Sequence, residues 1–134
     1  MIIGLILWCG SSMLLAQTPD YKVVFDLTSK DSNDHQMVIR WLKGISQSDP
    51  AARMEVVFYA KSLDMVIKDR STVAADVVKL ARNNNISFKV CAVAMKSQKV
   101  DLSELLPGVQ TVPDGIYEII TKQKEGWGYI KASH

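Results

Sequence analysis

The residue best suited to nucleophilic chemistry in this sequence is Cys91, in the stretch ISFKVCAVAMKS (residues 86–97). The stretch begins as an apolar run, which is typical of a buried β-strand. A thiolate at the end of such a strand could attack a disulfide or a persulfide sulfur. A free cysteine is also among the most buried residue types and often packs as a small apolar side chain. The pattern therefore leaves two interpretations open, a reactive Cys91 and a structural one.

Other catalytic and cofactor motifs are not found in the sequence. DLTSKDSND follows the first strand-like run where a dinucleotide site would need GxGxxG, and there is no P-loop. His35 and His134 are isolated, which argues against a metal site, and His35 is predicted to lie on the surface at a helix start. The sequence therefore predicts no metal and no organic cofactor.

The charge pattern and the N-terminus bear on partners and location. The net charge of +2 comes without a basic run, which argues against nucleic-acid binding. Residues 1–17 are apolar and uncharged and resemble a signal peptide with cleavage near Ala16; an uncleaved anchor is the alternative. Cleavage would remove Cys9 and leave a mature domain of residues 18–134 with one cysteine and no membrane segment. This interpretation places the protein in the periplasm or outside the cell, and a segment that is not a signal would place it in the cytoplasm.

The remaining sequence alternates between strand and helix patterns. Residues 38, 41, 42 and 45 (Val, Trp, Leu, Ile) share one face of a helix that Asp49-Pro50 ends. Further helices are predicted from Ser71, over residues 101–108 and after Pro113, whereas KSLDMVIKDR is ambiguous. Strands are predicted at residues 21–29, 53–60, from 86 with an apolar run to Met95, 109–112 and 127–132. The order predicts a three-layer α/β/α fold with a mostly parallel five-stranded sheet.

Ligands of open α/β sheets bind beyond the carboxyl ends of the strands, which selects a set of candidate site residues. Cys91 lies at such an end, and a helix beginning near Ala94 to Ser97 would direct backbone N–H groups at the thiol and favour the thiolate. The candidate binding residues at these strand ends are Thr28, Ser29, Tyr59, Lys61, Met95 and Lys96.

An ordered series of short motifs resembles the DsrE/DsrF-like family. NNNISFKVC, ELLPG, VPDG and EGWGYI follow one another as in the C-terminal half of such proteins, and YKVVFDLTS and EVVFYAKSLDMVIKD fit their first two strands. The resemblance covers roughly Tyr21 to Lys131 and implies a YchN-like α/β fold and a homo-oligomer, a trimer or a hexamer. It also implies that Cys91 receives sulfur as a persulfide from a donor protein and hands it to an acceptor protein.

Two classes of function remain open. The first is a sulfur carrier or sulfurtransferase that acts through Cys91 as its catalytic residue. The second is a non-catalytic oligomeric module that binds a small ligand or a partner, with Cys91 buried as part of its core.

Overall fold

The structure, a computed structural model, describes residues 20–133. The signal-like segment 1–17, Cys9 and His134 lie outside the described residues. The strands are β1 (Lys22–Leu27), β2 (Arg53–Phe58), β3 (Ile86–Cys91), β4 (Gln110–Val112) and β5 (Gly128–Lys131). The helices are α1 (Ser32–Ser48), α2 (Ala74–Leu80), α3 (Ala92–Gln98) and α4 (Gly115–Lys124), with 3-10 helices at Ala60–Val66 and Leu102–Glu104.

The strands form one parallel sheet in the order β4-β3-β2-β1-β5. Parallel strands require crossover connections, and right-handed crossovers in a constant direction leave the connecting helices on one face. The chain moves in one direction from β1 to β4 and then returns across the sheet through α4 to the far side of β1. The predicted three-layer α/β fold is confirmed, and β5 is an edge strand of the sheet.

The larger core lies on the face of the sheet covered by α1, α2 and α3. Every second strand residue points to this face, and the rings of Phe25, Phe58 and Phe88 are fully buried there. Trp41 of α1 stacks on Phe25 with 5.8 Å between the ring centroids. Burial of such rings removes a large apolar area from water, so this face supplies most of the hydrophobic stabilisation.

Within the part of the chain that the structure describes, α4 is the only helix that covers the opposite face, and the apolar core there is small. Val24, Val57 and Ile119 form that core, with Tyr59 packed against it. The same strand face also carries a buried glutamate, Glu55, in an ion pair with α4. A polar, thinly covered face leaves part of the sheet accessible at the carboxyl ends of its strands.

Two local predictions are wrong. The third strand ends at Cys91 and α3 begins at Ala92, although the apolar run predicted a strand to Met95 and a helix near Ala94. The run stays apolar because Met95, one helical turn beyond Cys91, returns to the core. His35 is 2% exposed, not on the surface, since its Nε2 lies 2.8 Å from the carbonyl oxygen of Ser29 and ties α1 to the end of β1.

The ambiguous segment KSLDMVIKDR contributes most of a buried 3-10 helix. Leu63, Met65 and Val66 are completely buried and form part of the larger core. Within residues 20–133, no helix has the length and apolar character needed to cross a membrane.

Candidate functional site

Cys91 lies where the connections of two neighbouring strands leave the sheet on opposite sides. The chain leaves β3 into α3, whose Met95 packs in the larger core, whereas it leaves the adjacent β4 into α4 on the opposite face. Divergent connections open a crevice at this kind of topological switch point, where α/β proteins bind their ligands. The crevice between β3 and β4 is therefore the position that the topology favours for a site.

A cavity of about 300 Å³ lies beside this crevice, between the end of β2, α3 and the start of α4, and Cys91 lines it. Cys91 is 6% exposed and its register partner on β4 is Val112. It is the N-cap residue of α3, but its side chain accepts no capping hydrogen bond. The other lining residues come from three separate segments and are Tyr59, Ala60, Val93, Ala94, Ser97, Gln98, Asp114 and Ile116.

The start of α4 forms one wall of the cavity and approaches Cys91 closely. Asp114 caps the helix, and its Oδ1 accepts hydrogen bonds from the backbone N–H groups of Ile116, at 2.9 Å, and Tyr117, at 3.3 Å. Gly115 is buried, and a Cβ built there would lie 3.1 Å from the Cβ of Cys91. Glycine at this position lets the helix approach the strand end that carries the thiol.

The opposite wall is closed by a hydrogen bond between α3 and the end of β2. The side-chain Nε2 of Gln98 donates to the carbonyl oxygen of Ala60. Ala60 has φ 54°, a left-handed conformation that L-residues other than glycine adopt only at a cost. Strained backbone of this kind is concentrated at functional sites, and here it turns the Ala60 carbonyl toward Gln98.

A buried acid, Asp26, lies near the two tyrosines Tyr59 and Tyr129. Asp26 on β1 accepts a hydrogen bond from the hydroxyl of Tyr129, and Lys131 Nζ lies 3.9 Å from its Oδ2. Burial, together with the hydrogen bond to Asp26, raises the pKa of Tyr59, and the hydrogen bond to Asp26 raises the pKa of Tyr129 to about 12. Both phenols therefore stay protonated at neutral pH, and Tyr59 contributes an uncharged side chain to the cavity wall.

The structure brings only some of the predicted site residues to Cys91. Tyr59 lines its cavity, whereas Lys61 is exposed outside the lining. Met95 and Lys96 line a separate cavity on the other side of α3. Thr28 and Ser29 follow β1, where Ser29 Oγ accepts from the backbone N–H of Asp31.

Sequence reasoning missed the contribution of α4 to the site. Asp114, Gly115 and Ile116 are more than twenty residues from Cys91 in the chain, yet they form one side of its cavity. The signal available was the Pro-Asp-Gly turn after β4, since Asp is a preferred N-cap and β4 is the neighbour of β3. No group of three or more potential metal ligands occurs among residues 20–133.

The fold and the site together define a class of protein. Its members are three-layer α/β domains with a cysteine at the switch point between β3 and β4. The model of the DsrE/DsrF-like family matches residues 22–132, and the chain belongs to that family. The resemblance seen in the sequence is thereby confirmed.

Solved structures agree with this assignment. MTH1491 from Methanobacterium thermoautotrophicum, described as a protein of unknown function, is 29% identical with a TM-score of 0.78, over 84% of this chain and 99% of that one. YchN from E. coli has a TM-score of 0.69 at 9% identity, over 83% of this chain and 98% of that one. BT1422 from Bacteroides thetaiotaomicron, a conserved protein of unknown function, has a TM-score of 0.68 at 14% identity, over 82% and 93%. The last two show the fold alone, and no curated protein matches the chain.

Gly115→Ala should destabilise the protein because its methyl group would crowd Cys91 Cβ at 3.1 Å and Val57 Cγ1 at 3.2 Å. Overpacking of a buried site costs roughly 1–3 kcal/mol, and we expect the free energy of unfolding to fall by about 1–2 kcal/mol. Gly44→Ala is the matched control, since a Cβ at Gly44 on α1 meets nothing within 4 Å. That control should gain about 0.5–1 kcal/mol from helix propensity. Urea unfolding measures the change in the free energy of unfolding for both variants. A change of the same sign in both would contradict the close approach of α4 to Cys91.

Proposed function

We propose that the protein is a sulfur carrier or sulfurtransferase in which Cys91 holds the transferred sulfur as a persulfide. The observation that carries the proposal is the position of Cys91 in a cavity of about 300 Å³ at the switch point of the sheet. Membership of the DsrE/DsrF-like family supports it. A cavity of this size accommodates a sulfane sulfur and the end of the molecule that delivers it.

The proposed chemistry needs no metal and no organic cofactor. The Cys91 thiolate attacks the outer sulfur of a donor R–S–SH, the donor S–S bond breaks, and Cys91–S–SH forms while RS⁻ leaves. An acceptor thiolate then attacks the outer sulfur of Cys91–S–SH and regenerates the Cys91 thiolate.

Intact-mass measurement after incubation with a persulfide donor tests this function. We expect the folded protein to gain one sulfur atom, which cyanide or dithiothreitol removes, with the sulfur mapped to the peptide that carries Cys91. A protein that gains no sulfur under conditions where a small-molecule thiol does would exclude the proposal.

A second candidate function is a non-catalytic oligomeric module that binds a small ligand or a partner. It is favoured by the burial of Cys91, which is 6% exposed and packed against the start of α4. A structural thiol of this kind would react with iodoacetamide only after unfolding, whereas the persulfide carrier requires native-state reaction. Native labelling of Cys91 therefore separates the two functions.

Both functions include assembly of the chain with itself. Large apolar side chains are exposed on α4 (Ile116, Tyr117 and Ile120) and on the edge strand β5 (Tyr129 and Ile130). Their burial would favour the trimer or hexamer that the family resemblance implies, provided that the interface reaches roughly 1,000 Å². Light scattering at micromolar concentration should give that mass, and a monomer mass would exclude it.

Export remains part of the proposal on the basis of residues 1–17 alone. The apolar, uncharged segment ending at Ala16 supports secretion to the periplasm or beyond, with donor and acceptor proteins there. N-terminal sequencing of the protein from its native cell should find Gln17 first. An intact Met1 in the cytoplasmic fraction would rule this location out.

A further inference from the structure

The Cys91 cavity has an uneven distribution of charge. Among residues 20–133, Asp114 is the one carboxylate in its lining, and no lysine, arginine or histidine of that range lines it. Three lysines near Cys91 in the sequence or at the strand ends also stay out of the lining: Lys89 Nζ donates to Gln110 Oε1, Lys61 is exposed, and Lys96 lines the separate cavity beyond α3. A ligand that approaches Cys91 therefore meets a negative charge without a positive partner in the cavity wall.

The start of α4 offers few free donors to an anion, because Asp114 accepts hydrogen bonds from two of its backbone N–H groups. Free N–H groups in the first turn of a helix form a ready site for phosphate, sulfate or carboxylate groups. The N–H groups of Ile116 and Tyr117 instead donate to Asp114 Oδ1, at 2.9 Å and 3.3 Å. The side chain thus fills the position of an anion and adds its own charge to the cavity.

We propose that Asp114 is a specificity-determining residue that excludes anionic sulfur donors from Cys91. The inference rests on the proposed persulfide function and names the class of donor that the site accepts. Transfer from thiosulfate would require the Cys91 thiolate to attack the sulfane sulfur of a dianion and release sulfite, leaving Cys91–S–S⁻. The carboxylate repels that dianion, whereas it favours the protonated form of a donor R–S–SH, which is the electrophilic form.

The charge effect can be measured without any sulfur transfer. Iodoacetamide and iodoacetate alkylate a thiol by the same displacement of iodide and are similar in size, but only iodoacetate is anionic. The full-length protein is treated with each reagent, and the rate is read on the peptide that carries Cys91. The ratio of the two rates in urea gives the reference for Cys91 without the cavity.

Asp114→Asn removes the charge and keeps an N-cap, since asparagine caps helices about as well as aspartate. For the folded wild type we expect the ratio of the iodoacetamide rate to the iodoacetate rate to exceed the same ratio in urea by about threefold or more. Asp114→Asn should bring the ratio down to the urea value. Asp101→Asn is the matched control because Asp101 also caps a short helix but lines the other cavity, and it should leave the ratio unchanged.

Loading with sulfur then separates the inference from the proposed function. We expect the wild type to load from an alkyl persulfide and not from thiosulfate, and Asp114→Asn to load from both. Equal alkylation ratios in the wild type and in Asp114→Asn overturn the selectivity of Asp114 even if Cys91 carries sulfur. A ratio that falls in Asp114→Asn, with no sulfur loaded from either donor, overturns the persulfide function and retains the charge selectivity. Failure of both reagents to modify Cys91 before unfolding overturns both.

Discussion

Replacement of Cys91 by serine should abolish persulfide loading and leave the melting temperature within a few degrees of the wild type. A serine hydroxyl is close in size to the thiol but provides no thiolate at neutral pH, so the attack on a donor sulfur is lost. The side chain is nearly buried and accepts no capping bond in the structure, so the substitution removes few interactions. Loading followed by intact mass and melting followed by circular dichroism measure the two effects.

Cys91→Ala is the companion variant because it tests packing rather than chemistry. Removal of the sulfur atom leaves a small cavity beside Gly115 and Val57, which should lower the free energy of unfolding by about 1 kcal/mol. The carrier function requires loading to be lost in both variants. Retained loading in Cys91→Ser would assign the sulfur to another group and remove Cys91 from the mechanism.

The fold was predictable because its largest elements have strong local patterns. The spacing of Val38, Leu42 and Ile45 matches one face of α1, and the apolar runs at β1, β2 and β3 match strands that are paired on both sides. Both patterns reflect burial, because helices cover the sheet on both of its faces. The family resemblance rests on the same elements in the same order and therefore led to the same fold.

The boundary between β3 and α3 was not predictable from hydrophobicity. Val90 and Met95 both enter the larger core, one from the strand and one from the first turn of the helix. The apolar run therefore continues through the point where the backbone changes direction, and no Gly, Pro or Asn marks the change. Periodicity alone cannot separate a buried strand from a short buried helix over so few residues.

The walls of the candidate site depend on contacts between distant segments. Cys91 and Tyr59 lie at strand ends, which the strand pattern indicates. Asp114 lines the same cavity as Cys91 because β4 pairs with β3 and the chain then turns onto the opposite face. Met95 and Lys96 follow Cys91 closely in the chain, but one turn of α3 directs them to a different cavity. Sequence proximity therefore identified the strand end and missed the helix that completes the site.

The second large effect concerns Glu55, which is buried between the sheet and α4 and should make stability depend on pH. Glu55 is 2% exposed, its Oε2 lies 3.6 Å from Lys122 Nζ, and its Oε1 has no hydrogen-bond partner among residues 20–133. Burial, and then the nearby carboxyl group of Glu118, raise the pKa of Glu55 from 4.5 to about 7, although Lys122 and Lys89 act in the opposite direction.

The direction of the pH effect follows from which state holds the proton. Between pH 4.5 and pH 7 the folded protein keeps a proton on Glu55 that the unfolded chain has released. The resulting stabilisation is fully present below pH 4.5 and is lost as the pH rises through 7. The shift corresponds to a contribution on the order of 3 kcal/mol that disappears by about pH 8.

Glu55→Gln should therefore flatten the stability profile, because glutamine resembles the protonated acid and cannot ionise. We expect urea unfolding to show the wild type losing stability from about pH 5 to pH 8 and the variant losing much less, so that the variant is more stable by about 2 kcal/mol at the upper end. Glu125→Gln is the matched control, since Glu125 also pairs with Lys122, at 3.7 Å, but its side chain is 53% exposed. That control should retain the wild-type slope. Parallel profiles for the wild type and Glu55→Gln would show that Glu55 is already ionised in the folded protein, and its contact with Lys122 would then outweigh its burial.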